Sequence, residues 1–189
     1  DRPTQHEKAL TAAVFIRMWE LAETPKEKHL ARLAIGAFYH AMRSCEYLKV
    51  QGERRTKVIC LRNLRFFRGL QELSHDDPDL PFADAISITF NYQKTDVRDA
   101  TITMYRTGQS LLCPVRAWAS IVRAIKNLPG ATKHTPVCSL FQPAVNPTPD
   151  NPGKFIQVTG KDMTTLIRKA VSDMGTDRLG FTPEECGTH

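Results

Sequence analysis

The sequence predicts an α+β fold, mostly helical, with a small antiparallel three-stranded sheet. Apolar residues recur at helical spacing in four stretches, each opened by a capping residue or a proline. Two segments alternate strictly: Ile86, Ile88, Phe90 and Tyr92 with Ser87, Thr89 and Asn91, then Ala100, Ile102 and Met104 with Thr101, Thr103 and Tyr105. That period of two marks strands. The polar run between them, Gln93 to Asp99, reads as a hairpin turn.

In chain order, Thr4-x-x-Glu7 is a capping box, and the helix it opens carries Leu10, Val14, Met18 and Leu21 on one side. Thr24-Pro25-x-Glu27 starts a second helix with proline in its first turn. Leu33, Ala34, Ala37, Phe38 and Ala41 fall on one face of it. Ser44 is placed to cap a following short turn, with Glu46 in that turn and Tyr47 and Leu48 directed to the core. Gln51 to Thr56 is a charged loop; Val58 to Leu61 and Leu64 to Phe67 read as short strands; Ser74 to Pro81 is an acidic, proline-containing loop. Cys113-Pro114 opens a helix that buries Val115, Trp118, Ile121, Val122 and Ile125. Leu128 to Lys154 reads as a long loop in which only Val137 to Phe141 is apolar enough to pack. Thr159-x-x-Asp162 caps a helix with Met163, Leu166, Ile167, Ala170 and Val171 inward and Gly175 at its end. Thr182-Pro183-Glu184-Glu185 begins one more turn.

With 189 residues, 41% hydrophobic and 24% charged, the chain has the composition of an ordinary soluble globular domain. Its five cysteines are scattered with no Cys-x-x-Cys pair, so neither a zinc site nor a disulfide framework is expected, and the compartment is expected to be intracellular. No apolar run reaches membrane-spanning length, and no two histidines sit at metal-ligand spacing beside carboxylates. Phosphate-binding glycine loops, zinc-protease motifs and nucleophile elbows are missing from the sequence. The expectation is therefore no metal, no cofactor and no membrane.

The net charge of +6 is concentrated at one end. Residues 1–75 carry 14 lysines and arginines against 8 acids, whereas residues 76–189 carry 12 of each. Lys49, Arg54, Arg55, Lys57, Arg62, Arg65 and Arg68 fall in one segment with the single acid Glu53. A positive field of this kind suits a polyanion, nucleic acid above all; a solvated basic face is the alternative. Just before it, the helix through Ala41 runs into Arg43, with Glu46 three residues on. The spacing is expected to hold the guanidinium near the core, where its planar fork of donors suits a phosphate or a carboxylate. The plainer alternative is that Arg43 pairs with Glu46 and pins two helices.

The order of helix, Arg-x-x-Glu, basic segment, hairpin with a lysine, proline-started helix, long loop, helix and histidine resembles the catalytic domain of the tyrosine recombinases, the phage-integrase family. AMRSCEYLKV (41–50) resembles the family's G-x-R-x-x-E block, ITFNYQKTDVRDATITM (88–104) its lysine-bearing hairpin, LLCPVRAW (111–118) the segment after it, and GFTPEECGTH (180–189) the run into its H-x-x-R block. The resemblance implies Arg43, Lys94 and His189 as catalytic residues, Glu46 as the support of Arg43, and Lys49, Arg54, Arg55, Lys57, Arg62, Arg65 and Arg98 as DNA contacts. It implies double-stranded DNA as partner, a homo-tetramer on DNA, and a nuclear location in a eukaryote or a cytoplasmic one in a bacterium or phage host. The activity implied is site-specific recombination or integration through a 3′-phosphotyrosyl intermediate. The family's second arginine and its tyrosine nucleophile have no match in this chain; none of Tyr39, Tyr47, Tyr92 and Tyr105 takes that role. Residues 1–189 are thus expected to be a partial catalytic domain, without the N-terminal DNA-clamp domain and the nucleophile segment, and inactive alone. Two other readings stand beside this one: a non-catalytic DNA-binding remnant or domesticated regulator, and a helical module binding RNA or an acidic protein.

Overall fold

A computed structural model describes residues 9–52, 56–91 and 99–188. The first helix, α1 (Ala12–Glu20), has Thr11 at its N-cap and buries Val14, Phe15 and Met18. The expected capping box at Thr4 to Glu7 lies outside the described residues, and Leu10 precedes the helix instead of joining it. The second capping box closes as expected at the start of α2 (Pro25–Tyr39). Thr24 Oγ1 accepts from the Glu27 N–H at 3.1 Å, and Glu27 Oε2 accepts from the Thr24 N–H at 3.0 Å. Leu33, Ala34 and Ala37 are buried on α2, but Phe38 is 52% exposed and Ala41 lies past the end of the helix. The end is a Schellman turn. Ala41 N–H bonds Phe38 O and Met42 N–H bonds Ala37 O, at 3.2 and 3.0 Å, with Ala41 in the left-handed conformation at φ 48°.

A single turn, α3 (Ser44–Tyr47), follows. Arg43, not Ser44, occupies its N-cap, because Glu46 reaches back to the Arg43 amide and no serine cap is needed. Tyr47 and Leu48 are buried as expected. The run Val58 to Leu61 is not a strand. Cys60 makes one isolated antiparallel bridge to Pro136, and a 3₁₀ turn occupies Leu61–Asn63.

The sheet has four strands where three were expected. β1 (Leu64–Arg68), β2 (Gln71–Leu73), β3 (Ala85–Phe90) and β4 (Ala100–Tyr105) are antiparallel in the order β2-β1-β3-β4. The added strand β2 is three residues long with only Leu73 buried, too short to leave a period in the sequence. Phe90 pairs with Ala100 at the end of the β3–β4 pair nearest the connecting segment, and the expected hairpin turn falls on residues 92–98, which lie outside the described residues.

Pro114 opens α4 (Pro114–Lys126), whose apolar face, including Trp118, is buried throughout. Trp118 lies under α2 at Gly36, where a Cβ would come within 2.5 Å of the indole. The absence of a side chain at position 36 is what lets the two helices meet. The segment expected to be a loop is partly a hairpin of β5 (Ser139–Thr148) and β6 (Asn151–Gln157). Its outer part is exposed, so burial imposes no alternation on the sequence; only its base, Val137 to Ser139, is buried. α5 (Gly160–Met174) is capped by Thr159 and Asp162, buries the five predicted residues and ends at Gly175, φ 83°. A short α6 (Thr176–Leu179) and a 3₁₀ turn at Pro183–Glu185 complete the described chain. One core joins α1, α2, α4, α5 and the inner face of the four-stranded sheet.

Candidate nucleic-acid interface

Arg43 is held by its main chain. Glu46, only 3% exposed, accepts the Arg43 N–H at 2.7 Å, and the Glu46 N–H donates to Arg43 O at 2.9 Å. The Ile59 N–H donates to Glu46 O at 2.9 Å, which ties the turn to the next segment of the chain. The plainer alternative, an Arg43–Glu46 side-chain pair, does not form. The expectation of a guanidinium near the core also fails: the side chain is exposed and has no hydrogen-bond or ion-pair partner among the described residues. The buried acid fixes the backbone, and the cation faces water.

Ser44, the next residue, lines a cleft of about 860 Å³ between α3 and the start of α5. Lys49, Gln51, Lys161, Thr164 and Thr188 line it as well, and no carboxylate does. Lys49 enters by a main-chain bond to Val158 O, 2.9 Å, and a parallel bridge to Thr159. This places the lysine beside the N-terminus of a fifteen-residue helix, where unsatisfied amides and the helix dipole favour an anion. Asp162 works against that field in part, since it caps Thr159 and pairs with Lys26 at 2.6 Å.

The C-terminal segment reaches the same cleft. Arg168 Nε donates to Cys186 O at 3.3 Å, Cys186 is buried, and Thr188 Oγ1 would lie 3.4 Å from a Cβ placed at Gly160. Ser44 and Thr188, the neighbours of Arg43 and His189, thus meet at one opening. His189, Lys94, Arg54, Arg55 and Arg98 themselves lie outside the described residues.

The remaining expected DNA contacts divide. Lys49, Lys57 and Arg62 are exposed. Arg65 is committed within the chain: its Nε and one terminal nitrogen donate to the two Glu72 oxygens at 3.0 and 2.6 Å, and its guanidinium lies 5.2 Å from the Phe67 ring centre. That fork ties β1 to β2 and is unavailable to phosphate while the pair holds. Lys161 was missed. Its one signal was position: a lysine in the first turn after Thr159 opposes the helix dipole and so calls for an anion nearby.

Among the described residues no group of three or more His, Cys, Asp or Glu side chains could hold a metal ion, and no helix is long and apolar enough to cross a membrane. The five cysteines are free thiols. Comparison with known proteins found no matching family model, no matching curated protein and no matching solved structure.

Proposed function

We propose that the chain is the larger part of a DNA-recombining catalytic core of the tyrosine recombinase type. It binds duplex DNA and serves strand exchange through a 3′-phosphotyrosyl intermediate. The observation that carries this reading is the turn at Arg43, an exposed guanidinium on a backbone locked by a buried glutamate, beside a cleft with two lysines and no acid. The left-handed Ala41 adds support, because it stands where the family's Arg-x-x-Glu block carries glycine.

In this reading a tyrosine oxygen from outside residues 1–189 attacks phosphorus, and the bond from phosphorus to the 5′-oxygen breaks. Arg43 donates to the non-bridging oxygens as charge gathers on them. Lys94, which lies between β3 and β4 in the sequence, gives its proton to the departing 5′-oxygen. His189 hydrogen-bonds the phosphate or takes the tyrosine hydroxyl proton as that oxygen attacks. The 5′-hydroxyl of a second strand then displaces the tyrosine. Lys49, Lys161 and the α5 N-terminus hold flanking phosphates and set the register of the duplex. The scheme requires no metal or cofactor.

The test has a binding arm and a cleavage arm. Fluorescence anisotropy on labelled duplex should give an affinity that falls with salt, and Lys49→Glu with Lys161→Glu should weaken it by roughly tenfold or more. Equal affinity in parent and double variant means the duplex does not use this cleft. In the product of the full reading frame, Arg43→Ala should abolish covalent strand cleavage on a nicked suicide duplex. Tight duplex binding with no cleavage by the parent would instead support the non-catalytic DNA-binding role.

A further inference from the structure

On another side of the molecule, a groove of about 440 Å³ runs between α1, α2, α4 and the turns at Phe82 and Leu111. It shares no residue with the cleft beside Arg43. Arg32, Arg116 and Arg123 line it, and no carboxylate does. Arg32 is half-buried, and its guanidinium lies 5.1 Å from the Trp19 ring centre. Neither Arg32 nor Arg116 has an ion-pair partner among the described residues. Burial pulls the Arg32 pKa below its ordinary value, with no opposing charge to restore it. Arg123 bonds the Pro78 carbonyl, which leaves its charge unneutralised. The walls are apolar and open. Phe82 is 52% exposed and Leu111 37% exposed, and Arg106 adds a fourth guanidinium 5.6 Å from the Phe82 ring centre.

A half-buried cation without a counter-ion, as Arg32 is, is costly, and exposed aromatic and leucine side chains around a concavity gain by being covered. A ligand that meets both demands carries several negative charges and an apolar group. We propose that this groove docks an acidic peptide segment of a partner protein. Its carboxylates pair with Arg32, Arg116 and Arg123, while one leucine or aromatic side chain enters between Trp19, Phe82 and Leu111.

A nucleic acid fits less well. The loop next to Arg123 carries Asp76, Asp77 and Asp79. Asp76 pairs with Lys126 and Asp79 with Arg68, so a long polyphosphate leaving the groove on that side would run against Asp77. A short acidic segment that ends within the groove does not. Arginine forks on carboxylates and a buried aromatic or aliphatic anchor are the contacts that dominate compact peptide interfaces.

The test uses the full chain and a short fluorescein-labelled peptide of aspartates and glutamates around a central leucine and phenylalanine. Binding should weaken with salt, and two control peptides should fail, one with lysines for the acids and one with serines for the apolar pair. Arg116→Glu and, separately, Leu111→Asp should each weaken binding by roughly tenfold, with circular dichroism melts used to accept only folded variants. The chain has two tryptophans, and they report location independently of any substitution. In nitrogen-15 spectra the peptide should shift the Trp19 indole resonance and leave that of buried Trp118 in place. Arg116→Glu should bind duplex DNA as the parent does, so failure here and failure of the recombinase reading are separable. An unmoved Trp19, equal binding of the serine control, or a single-stranded oligonucleotide that binds the groove more tightly than the peptide would each overturn the proposal.

Discussion

At Arg43 the main chain and the side chain answer to different partners. The carboxylate of Glu46 takes the amide, which holds the residue at φ −76° and ψ 150° and leaves the guanidinium free to meet an anion from outside. Removing that acceptor strands a partly buried N–H, which costs about 1–3 kcal/mol. Glu46→Ala should therefore lower the urea midpoint and also weaken duplex binding, although Glu46 itself is buried and faces no ligand. Binding that survives while stability falls would show that Arg43 does not depend on the turn. Arg65 is the contrasting case. In the sequence it looks like any basic residue of the segment, yet its fork is taken by Glu72. Nothing within the segment reveals the pairing, because it depends on β2, which leaves no periodic signal.

At the scale of elements, the junction of α2 with α3 is set by one left-handed residue. Ala41 at φ 48° closes the Schellman turn that aims the chain toward Arg43. A Cβ in this conformation costs about 1–2 kcal/mol, and glycine avoids that cost while losing somewhat more chain entropy. Ala41→Gly should accordingly raise the thermal midpoint, with a net gain of about 1 kcal/mol; a fall in Tm would contradict the turn. The helices were legible in the sequence because each carries its own start signal: Thr24 with Glu27, Pro114, Thr159 with Asp162. The first helix was legible only in its apolar face, and its start lies at Thr11. The β5–β6 hairpin was not legible at all. Its pairing rests on Gly153, φ 131°, where a Cβ would fall 2.3 Å from Gln142 O, and a close backbone approach of that kind has no periodic signature.

Across the whole molecule, stability should depend on pH through histidines enclosed by the fold. His29, 1% exposed, donates from Nε2 to Val137 O at 2.8 Å and so joins α2 to the base of the β5–β6 hairpin. Burial depresses its pKa from 6.5 to about 4. The unfolded chain then binds the proton more readily than the native one. Stability is full above pH 6.5 and falls as the pH drops toward 4, by at most about 3 kcal/mol from this group. His40, also buried and shifted down, acts in the same direction. Urea midpoints at pH 7 and pH 5 should differ more in the parent than in His29→Gln, which keeps a donor for Val137 O but does not titrate. Equal differences would remove His29 from the account. By itself the sequence determined the starts of α2, α4 and α5, the β3–β4 strand pair, the apolar core and the basic bias of the first seventy-five residues, since caps, periodicity and charge are local properties. Only the tertiary structure decided that the Arg43 guanidinium faces outward, that Arg65 is spent on Glu72, that Lys161 joins Lys49 at one cleft, and that three arginines share a second groove. Each of those depends on segments far apart in the chain being brought together, and no local pattern records which distant residue a side chain will meet.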